Sequence, residues 1–289
     1  MDGSLQKIII CPNCGSAFDR SHLHYWICVS CRLKIPIRDG KPIFTPIPRE
    51  IIPSEKLDRS SDSGSRWRQA NWKFVERQVN MMNPEALLLD IGAGRGDFGA
   101  IFSGRKYIAL EIYPYPEIDL VCDLGYCVPF RENTFDLVAL LNVCEHVPDP
   151  KTLLAIVYRL LKPGGQAVIT IPFMLKIHQA PVDYARYTHF ALEKMGADIG
   201  FELALLEGFY DPAGLFGEIT RYYRFWELPR LNRFQRIIAR LFLLEISVDN
   251  FFLEWISGRG YLKNPHHTNY PAPTGYHIVF KKPKNRIGS

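Results

Sequence analysis

The chain contains 289 residues, of which 47% are hydrophobic and 22% are charged, a composition typical of a globular protein with a substantial core. A net charge of +5 is too small to indicate a nucleic-acid binder by itself, and no run approaches the roughly 18 apolar residues of a membrane span. The N-terminus lacks the pattern of a secretory signal peptide, so we expect a cytoplasmic protein.

Four of the seven cysteines form two C-x-x-C pairs near the N-terminus. Paired thiolates on two tight turns are typical of a closed tetrahedral zinc site, and the odd total of cysteines disfavours a disulfide framework. The predicted zinc ligands are Cys11, Cys14, Cys28 and Cys31. Between the pairs lie His22 and His24, which either replace a cysteine at the metal or, as we favour, belong to a surface loop.

The motifs around these pairs, CPNC and then CVSCRLKIPIRDGKP, resemble the small zinc ribbons that are fused to or associated with methyltransferases. The resemblance implies a zinc ribbon over residues 1–48 that contacts RNA, contacts a protein or only supports the fold. Residues 49–64 are rich in proline, serine and charge and are predicted to form a linker. A helix is predicted over 65–81, either packed on a sheet through its apolar residues, which we favour, or binding nucleic acid through its basic residues and tryptophans.

The stretch ALLLDIGAGRGDFG, residues 86–99, predicts a buried parallel strand that ends in a tight loop. Gly92, Gly94 and Gly96 let the backbone turn sharply and approach a ligand closely. The dinucleotide-binding fingerprint requires its third glycine where this chain has Asp97, so a nicotinamide cofactor is disfavoured.

An acid followed by G-x-G-x-G at the end of a strand resembles the first motif of the class I S-adenosylmethionine (SAM) dependent methyltransferases. The resemblance implies a Rossmann-like α/β fold whose sheet is parallel except for one antiparallel strand. It also implies that Glu111, at the end of the second strand, holds the SAM ribose and that Asp123, after the third, binds the adenine. The residues implied in SAM binding are Asp90, Gly92, Ala93, Gly94, Glu111, Ile112, Asp123, Leu124 and Asn142.

Polar residues also follow the fourth and fifth predicted strands. After the fourth, residues 142–147 resemble the E-H-V segment of the same family, and we expect Glu145 and His146 to brace the loop and cap the next helix. After the fifth, residues 172–188 form an unusually polar loop, and loops at strand carboxyl ends line the ligand crevice of such sheets. Within it His178 is the predicted catalytic base, since histidine ionises near neutral pH.

Two further features leave alternatives open. Asp183 and Arg186, three positions apart, either pair with each other or take part in the reaction. A helical insertion is predicted at about 211–265, before the final antiparallel strand at 275–281. Its apolar face over 230–257 is interpreted as a cap on the crevice, a membrane-surface contact or a dimer contact.

The sequence therefore predicts a methyltransferase domain over residues 65–289 that follows the zinc ribbon and uses SAM. The first candidate reaction is methyl transfer to an oxygen or nitrogen of a small or lipid-linked, glycan-type metabolite. The alternative is an RNA methyltransferase whose ribbon contacts the substrate. A non-catalytic adaptor that keeps the SAM fold is a second alternative.

Overall fold

The structure of the protein is a computed structural model. It describes residues 7–46, 66–209, 230–241, 244, 252 and 273–284. The predicted linker over 49–64 and most of the predicted insertion over 211–265 lie outside these residues.

Among the described residues, eleven strands form one sheet. In chain order they are β1 (Phe18–Asp19), β2 (Tyr25–Cys28), β3 (Lys34–Arg38), β4 (Lys41–Phe44), β5 (Leu87–Ile91), β6 (Lys106–Glu111), β7 (Leu120–Cys122), β8 (Phe135–Leu141), β9 (Leu161–Pro172), β10 (Glu202–Phe209) and β11 (Gly275–Lys281). Seven of them follow the order β7-β6-β5-β8-β9-β11-β10, in which β11 runs antiparallel to both neighbours and the other adjacent pairs are parallel. This order confirms the predicted mixed sheet with one antiparallel strand.

The two central strands, β5 and β8, consist almost entirely of buried residues. Parallel strands that are covered on both faces need apolar side chains on both faces, so their sequences are continuous apolar runs. This double burial explains why the runs over 86–89 and 135–141 predict the strands directly.

Helices pack on the sheet. Those with defined bounds among the described residues are α1 (Arg66–Asn80), α2 (Pro150–Leu160) and α3 (His189–Ile199). Helix α1 packs through Phe74, Val75 and Val79, which are at most 3% exposed. The ring of Trp67 lies so close to Gly275 on β11 that a Cβ atom there would be 2.2 Å from the ring. The helix is therefore amphipathic and packed, as favoured from its sequence.

Helix α2 begins at a cap formed by Asp149, whose side chain accepts a hydrogen bond from the Thr152 N–H at 3.1 Å. An oxygen acceptor at this position satisfies one of the backbone donors that a helix start leaves free. The expectation that Glu145 and His146 cap this helix is therefore wrong.

The N-terminal ribbon continues the main sheet. Strand β4 pairs in parallel with β7, where Ile43 lies opposite Val121, and Ile9 forms an antiparallel bridge with Phe130. The ring of Phe44 belongs to the same buried apolar cluster as residues of the central strands. The ribbon thus shares backbone hydrogen bonds and a core with the strands that carry the candidate site.

Residues 233–241 form helical turns. Apolar side chains of this segment are more than half exposed, among them Phe234 at 71%, Ile237 at 59% and Leu241 at 63%. Within the described part of the chain, no helix has the length and hydropathy needed to cross a bilayer. The cap, membrane-surface and dimer interpretations of the insertion remain predictions.

Candidate active site

The loop after β5 depends on glycine for two reasons. Gly92, Gly94 and Gly96 have φ angles of +72°, +56° and +72°, in the left-handed region that other residues adopt only with strain. A Cβ atom at Gly92 would also lie 2.6 Å from Cγ2 of Val143, so the segment after β8 rests directly on this loop. The glycine loop after β5 therefore packs against the segment that follows the neighbouring strand β8.

Glu111 lies at the end of β6, beside the glycine loop. Its Oε2 accepts the Gly94 N–H at 2.9 Å, and its Oε1 accepts the Ile112 N–H at 2.7 Å. The carboxylate is buried, at 7% exposure. The acid that is predicted to bind ribose is thus hydrogen-bonded to the loop that is predicted to bind the same cofactor.

Asp90 lies at the end of β5 and is almost fully buried. Its Oδ2 accepts the Tyr107 O–H at 3.2 Å, whereas Oδ1 has no hydrogen-bond partner among the described residues. Burial above all, together with the nearby carboxylates of Glu111 and Asp97, raises the pKa of Asp90 to about 7. This acid therefore has an unused buried oxygen beside the glycine loop.

The remaining predicted cofactor residues follow β7 and β8. The Asp123 Oδ1 accepts the Gly125 N–H at 2.9 Å, and Leu124 beside it is buried. Asn142 has a φ angle of +56°, and its Oδ1 accepts the Thr170 O–H at 3.2 Å. All predicted cofactor residues therefore lie at or just after the carboxyl ends of adjacent parallel strands, where open α/β sheets bind ligands.

A cluster of one acid and two histidines lies after β8 and β9. Glu145 has a fully buried side chain, and its Oε1 lies 3.7 Å from His146 Nε2 and 3.9 Å from His178 Nε2. The two imidazole rings meet edge to face with centroids 4.8 Å apart. Burial raises the pKa of Glu145 to about 8. We call these three residues the crevice cluster.

Other groups fix the two imidazoles. His146 Nδ1 lies 2.7 Å from the Val182 carbonyl oxygen, and His178 Nδ1 lies 3.3 Å from Asp183 Oδ2. Asp183 and Arg186 do pair with each other, because both terminal guanidinium nitrogens donate to the carboxylate. Burial, helped by the His146 ring, lowers the pKa of His178, although Asp183 opposes this shift.

The four ribbon cysteines form a second cluster, which we call the ribbon cluster. Their Sγ atoms approach in two pairs, Cys11 to Cys31 at 3.5 Å and Cys14 to Cys28 at 3.4 Å, and all four lie within 4.8 Å of one another. Four sulfurs at about 2.3 Å from one zinc ion would lie about 3.8 Å apart. The free thiols therefore fit a tetrahedral zinc site, whereas the His22 ring stacks on another ring.

Comparisons with known proteins agree with this geometry. Residues 89–169 match the family model of a methyltransferase domain. An uncharacterized methyltransferase of Mycobacterium avium (strain 104) is 30% identical over 166 residues, which are 48% of this chain and 65% of that protein. The ubiquinone biosynthesis O-methyltransferase of Thiobacillus denitrificans is 26% identical over 221 residues, 60% of this chain and 91% of that protein. The chain carries a class I SAM-dependent methyltransferase domain.

The matched part of this methyltransferase domain runs from β5 to β9 and includes the glycine loop, Glu111, Asp123 and the E-H-V segment. The chain spans less than two thirds of the first relatives it matches, 65% of the Mycobacterium avium protein and 38% of a Mycobacterium leprae methyltransferase. A SAM-dependent methyltransferase from Archaeoglobus fulgidus of known structure is 17% identical, with a TM-score of 0.47 over 76% of this chain and 95% of that chain. The fold assignment depends on the strand order and the family model.

The sequence predicts His178 as a site residue, but it does not predict that Glu145 and His146 lie beside it. Glu145 and His146 follow β8, His178 follows β9, and these strands are adjacent and parallel. An acidic residue and a histidine after one strand, with a histidine after the next, are the signal that could have indicated the cluster, because carboxyl ends of neighbouring parallel strands meet.

Proposed function

We propose that this chain transfers the methyl group of SAM to an oxygen or nitrogen of a small or lipid-linked metabolite. The observation that carries the proposal is the hydrogen bond between the Gly94 N–H and Glu111, which joins the glycine loop to the acid at the end of β6. Asp123 at the end of the next parallel strand completes a row of polar groups suited to one extended ligand.

The residues in this row fit SAM. A Cβ atom at Gly94 would meet only Asp97 Oδ2, at 3.8 Å, so this glycine leaves room for the cofactor. Asp90 Oδ1, which has no hydrogen-bond partner among the described residues, offers an acceptor. A carboxylate has about four lone-pair sites, and Glu111, which already accepts the Gly94, Ile112 and Tyr113 N–H groups, is proposed to accept also from one ribose hydroxyl. Asp123 is proposed to accept from the adenine amine, with Leu124, Ile112, Ala93 and Asn142 lining the site.

The chemistry requires little from the protein beyond alignment. When bound, SAM supplies an electrophilic methyl group on a sulfonium that leaves as a neutral thioether. The chain is proposed to orient the acceptor and exclude water, and His178 is proposed to assist removal of the acceptor proton. Burial lowers the pKa of His178, which favours the neutral imidazole that proton removal requires.

Two similar proteins favour a small or lipid-linked acceptor. They are the ubiquinone biosynthesis O-methyltransferase of Thiobacillus denitrificans and a demethylmenaquinone methyltransferase of Renibacterium salmoninarum, which is 27% identical over 125 residues. The RNA alternative relied partly on helix α1, yet its Arg68 stacks on Trp72 and donates to the Asp97 carbonyl within the protein.

For the ribbon cluster we propose one structural zinc ion.

Isothermal titration of the purified chain with SAM tests the cofactor site. Glu111→Ala should weaken SAM binding by about 1 to 3 kcal/mol, because charge-assisted hydrogen bonds are lost. Glu85→Ala is the matched control, since this exposed acid pairs only at the surface with Lys106. A folded wild type that does not bind SAM would refute the cofactor site.

Incubation of cell extract with isotopically labelled SAM tests the acceptor. We expect label in a small or lipid-soluble product, identified by mass spectrometry, and none with Glu111→Ala. Label in the RNA fraction would support the RNA alternative instead. SAM binding without any labelled product would support the adaptor alternative.

A further inference from the structure

We propose that the crevice cluster, Glu145, His146 and His178, binds a divalent transition-metal cation that coordinates a hydroxyl group of the methyl acceptor. This inference rests on the proposed methyl transfer and narrows its acceptor to an oxygen. It also assigns a role to Glu145 and His146, which the sequence had suggested only to brace the loop and cap the next helix.

The distances fit a shared cation. The Glu145 Oε1 lies 3.7 Å and 3.9 Å from the two Nε2 atoms, and the ligand atoms of all three residues lie within 4.8 Å of one another. Two ligands that each lie about 2.1 Å from one ion are at most about 4.2 Å apart. The carboxylate is therefore already within bridging range of both imidazoles, and only small side-chain rotations are needed to close on an ion.

The tautomers also fit, because each imidazole uses its other nitrogen as a donor. His146 Nδ1 faces the Val182 carbonyl oxygen, which can only accept, so Nδ1 carries the proton and Nε2 keeps its lone pair. His178 Nδ1 lies 3.3 Å from two acceptors, the Lys176 carbonyl oxygen and Asp183 Oδ2, and farther, 3.5 Å, from the donor Arg186 Nη2. The two nearer acceptors favour the proton on Nδ1. Metal-binding histidines are typically held by a carbonyl or carboxylate on the nitrogen that does not bind the metal.

The cluster contains buried polar atoms that a cation would satisfy. Both carboxylate oxygens of Glu145 and Nε2 of His146 are buried without a hydrogen-bond partner among the described residues. The charge of Arg186 acts on Glu145, but the terminal nitrogens of Arg186 donate to Asp183 and to loop carbonyls. Buried polar groups are normally paired, so Glu145 Oε1 and His146 Nε2, both without a hydrogen-bond partner among the described residues and 3.7 Å apart, suggest a missing ligand.

The donor set indicates the class of cation. Two imidazole nitrogens and one carboxylate favour a transition metal such as zinc over magnesium or calcium, which prefer oxygen ligands. Three protein ligands leave at least one coordination position open, as in catalytic zinc sites. The His178 side chain is 25% exposed, so the cluster is accessible from outside on this side.

The position of the cluster relates it to the methyl donor. Glu145 lies two residues after Val143, which contacts Gly92 of the glycine loop. A hydroxyl coordinated here would have a lowered pKa, as water bound to zinc does. Its proton leaves to solvent, an oxygen lone pair forms the new bond to the methyl carbon, and the electrons of the carbon–sulfur bond return to the sulfonium sulfur. His178 then assists proton removal by holding the cation, because its Nε2 lone pair is engaged.

Zinc stoichiometry of the full chain tests the proposal without requiring turnover. After dialysis against zinc and removal of the excess, the wild type should hold about two zinc ions, one in each cluster. Glu145→Gln and His178→Ala should each hold about one. Glu145→Gln changes a fully buried side chain and could lose zinc through misfolding. His178→Ala changes a partly exposed side chain, so the same loss of zinc in both variants would indicate a lost ligand. His189→Ala, a histidine outside the cluster, should hold the wild-type number.

Wild type with no more zinc than the two variants would overturn the proposal. A separate titration with SAM distinguishes this outcome from failure of the proposed function, because SAM binding involves other residues. As a second measurement, mild chelation that removes only the crevice ion should lower the methylation rate of a hydroxyl acceptor by about 10²-fold or more, and zinc should restore it. A rate that is indifferent to this ion would also overturn the proposal.

Discussion

The ribbon cluster and the crevice cluster differ in ligand number, ligand type and surroundings. The ribbon offers four sulfur atoms that we propose close around one zinc ion, and the crevice offers two imidazoles and a carboxylate, which would leave a coordination position open. Closed four-ligand sites stabilise folds, whereas open three-ligand sites perform chemistry. The same chain thus pairs a cluster suited to stability with one suited to substrate binding.

Loss of the ribbon ion should have the largest effect. Cys28→Ser should remove one zinc and lower the free energy of unfolding by several kcal/mol, since structural zinc contributes about 10 kcal/mol or more of binding free energy in small zinc domains. Because β4 pairs with β7, which Asp123 follows directly, SAM affinity should fall as well. Metal analysis, thermal unfolding and SAM titration check these outcomes.

Cys127→Ser is the matched control for this experiment. Its Sγ donates to the Phe44 carbonyl at 3.3 Å, and a serine hydroxyl can replace that bond. Equal destabilisation by the two variants would mean that the ribbon cysteines act only through packing. The contrast between a stabilising and a chemical cluster would then be lost.

A change at Gly92 should affect the crevice cluster and spare the ribbon. In Gly92→Ala the new Cβ atom would meet Val143 Cγ2 at 2.6 Å, at a φ of +72°. We expect a loss of about 2 to 3 kcal/mol in unfolding free energy, because backbone strain at Gly92 adds to the displacement of the segment after β8. Zinc and SAM binding in the crevice should also weaken, because this segment carries part of the site.

Gly104→Ala is a control that introduces the backbone strain without displacing a neighbouring segment. Gly104 has a φ of +77°, but nothing lies within 4 Å of a Cβ atom there. This control should lose only about 1 kcal/mol, the cost of the left-handed backbone, and keep both ligands. Zinc analysis that finds the ribbon ion depleted in Gly92→Ala would contradict the independence of the two clusters.

The last expected effect is confined to one pH interval and concerns Asp90, a buried acid outside both clusters. Its pKa is raised from 3.8 to about 7, so its contribution to stability is present below the lower value and is lost as pH rises through the upper one. Facing it are the acids Glu111 and Asp97 and the Tyr107 hydroxyl.

Asp90→Asn should therefore remove about 4 kcal/mol of pH dependence from the free energy of unfolding over that interval. Denaturant unfolding at several pH values measures this change. Zinc should leave the Asp90 contribution unaltered, since the residue belongs to neither cluster. A wild type and variant with parallel pH profiles would show that Asp90 keeps an ordinary pKa.

Much of the fold could be predicted because its central elements are locally encoded. The strand at Phe135–Leu141 and the last strand at Gly275–Lys281 have the predicted bounds, since each is a short apolar run between turn residues. The glycine loop and Glu111 could be predicted as neighbours from their positions after consecutive strands. These features follow from the spacing of apolar residues and from the order of the strands along the chain.

Other features depend on contacts between distant segments, which one sequence does not contain. The pairing of β4 with β7 joins residues about 80 positions apart, and no local pattern predicted it. Glu145 and His178 come within 3.9 Å only because the loop after β9 packs against the turn after β8. The N-cap at Asp149 has a local signal of its own, an acid directly before a proline at the first helical position, whereas the family resemblance concerns the preceding E-H pair.

The parallel pairing of β4 with β7 also has a consequence for solubility. An uncovered outermost strand exposes a row of unpaired backbone donors and acceptors, which recruits strands of other molecules. Here β4 covers β7, whose residues Leu120–Cys122 are fully buried. A shortened chain that began at residue 66 would therefore expose an apolar sheet edge, and we expect it to aggregate even if its SAM pocket could form.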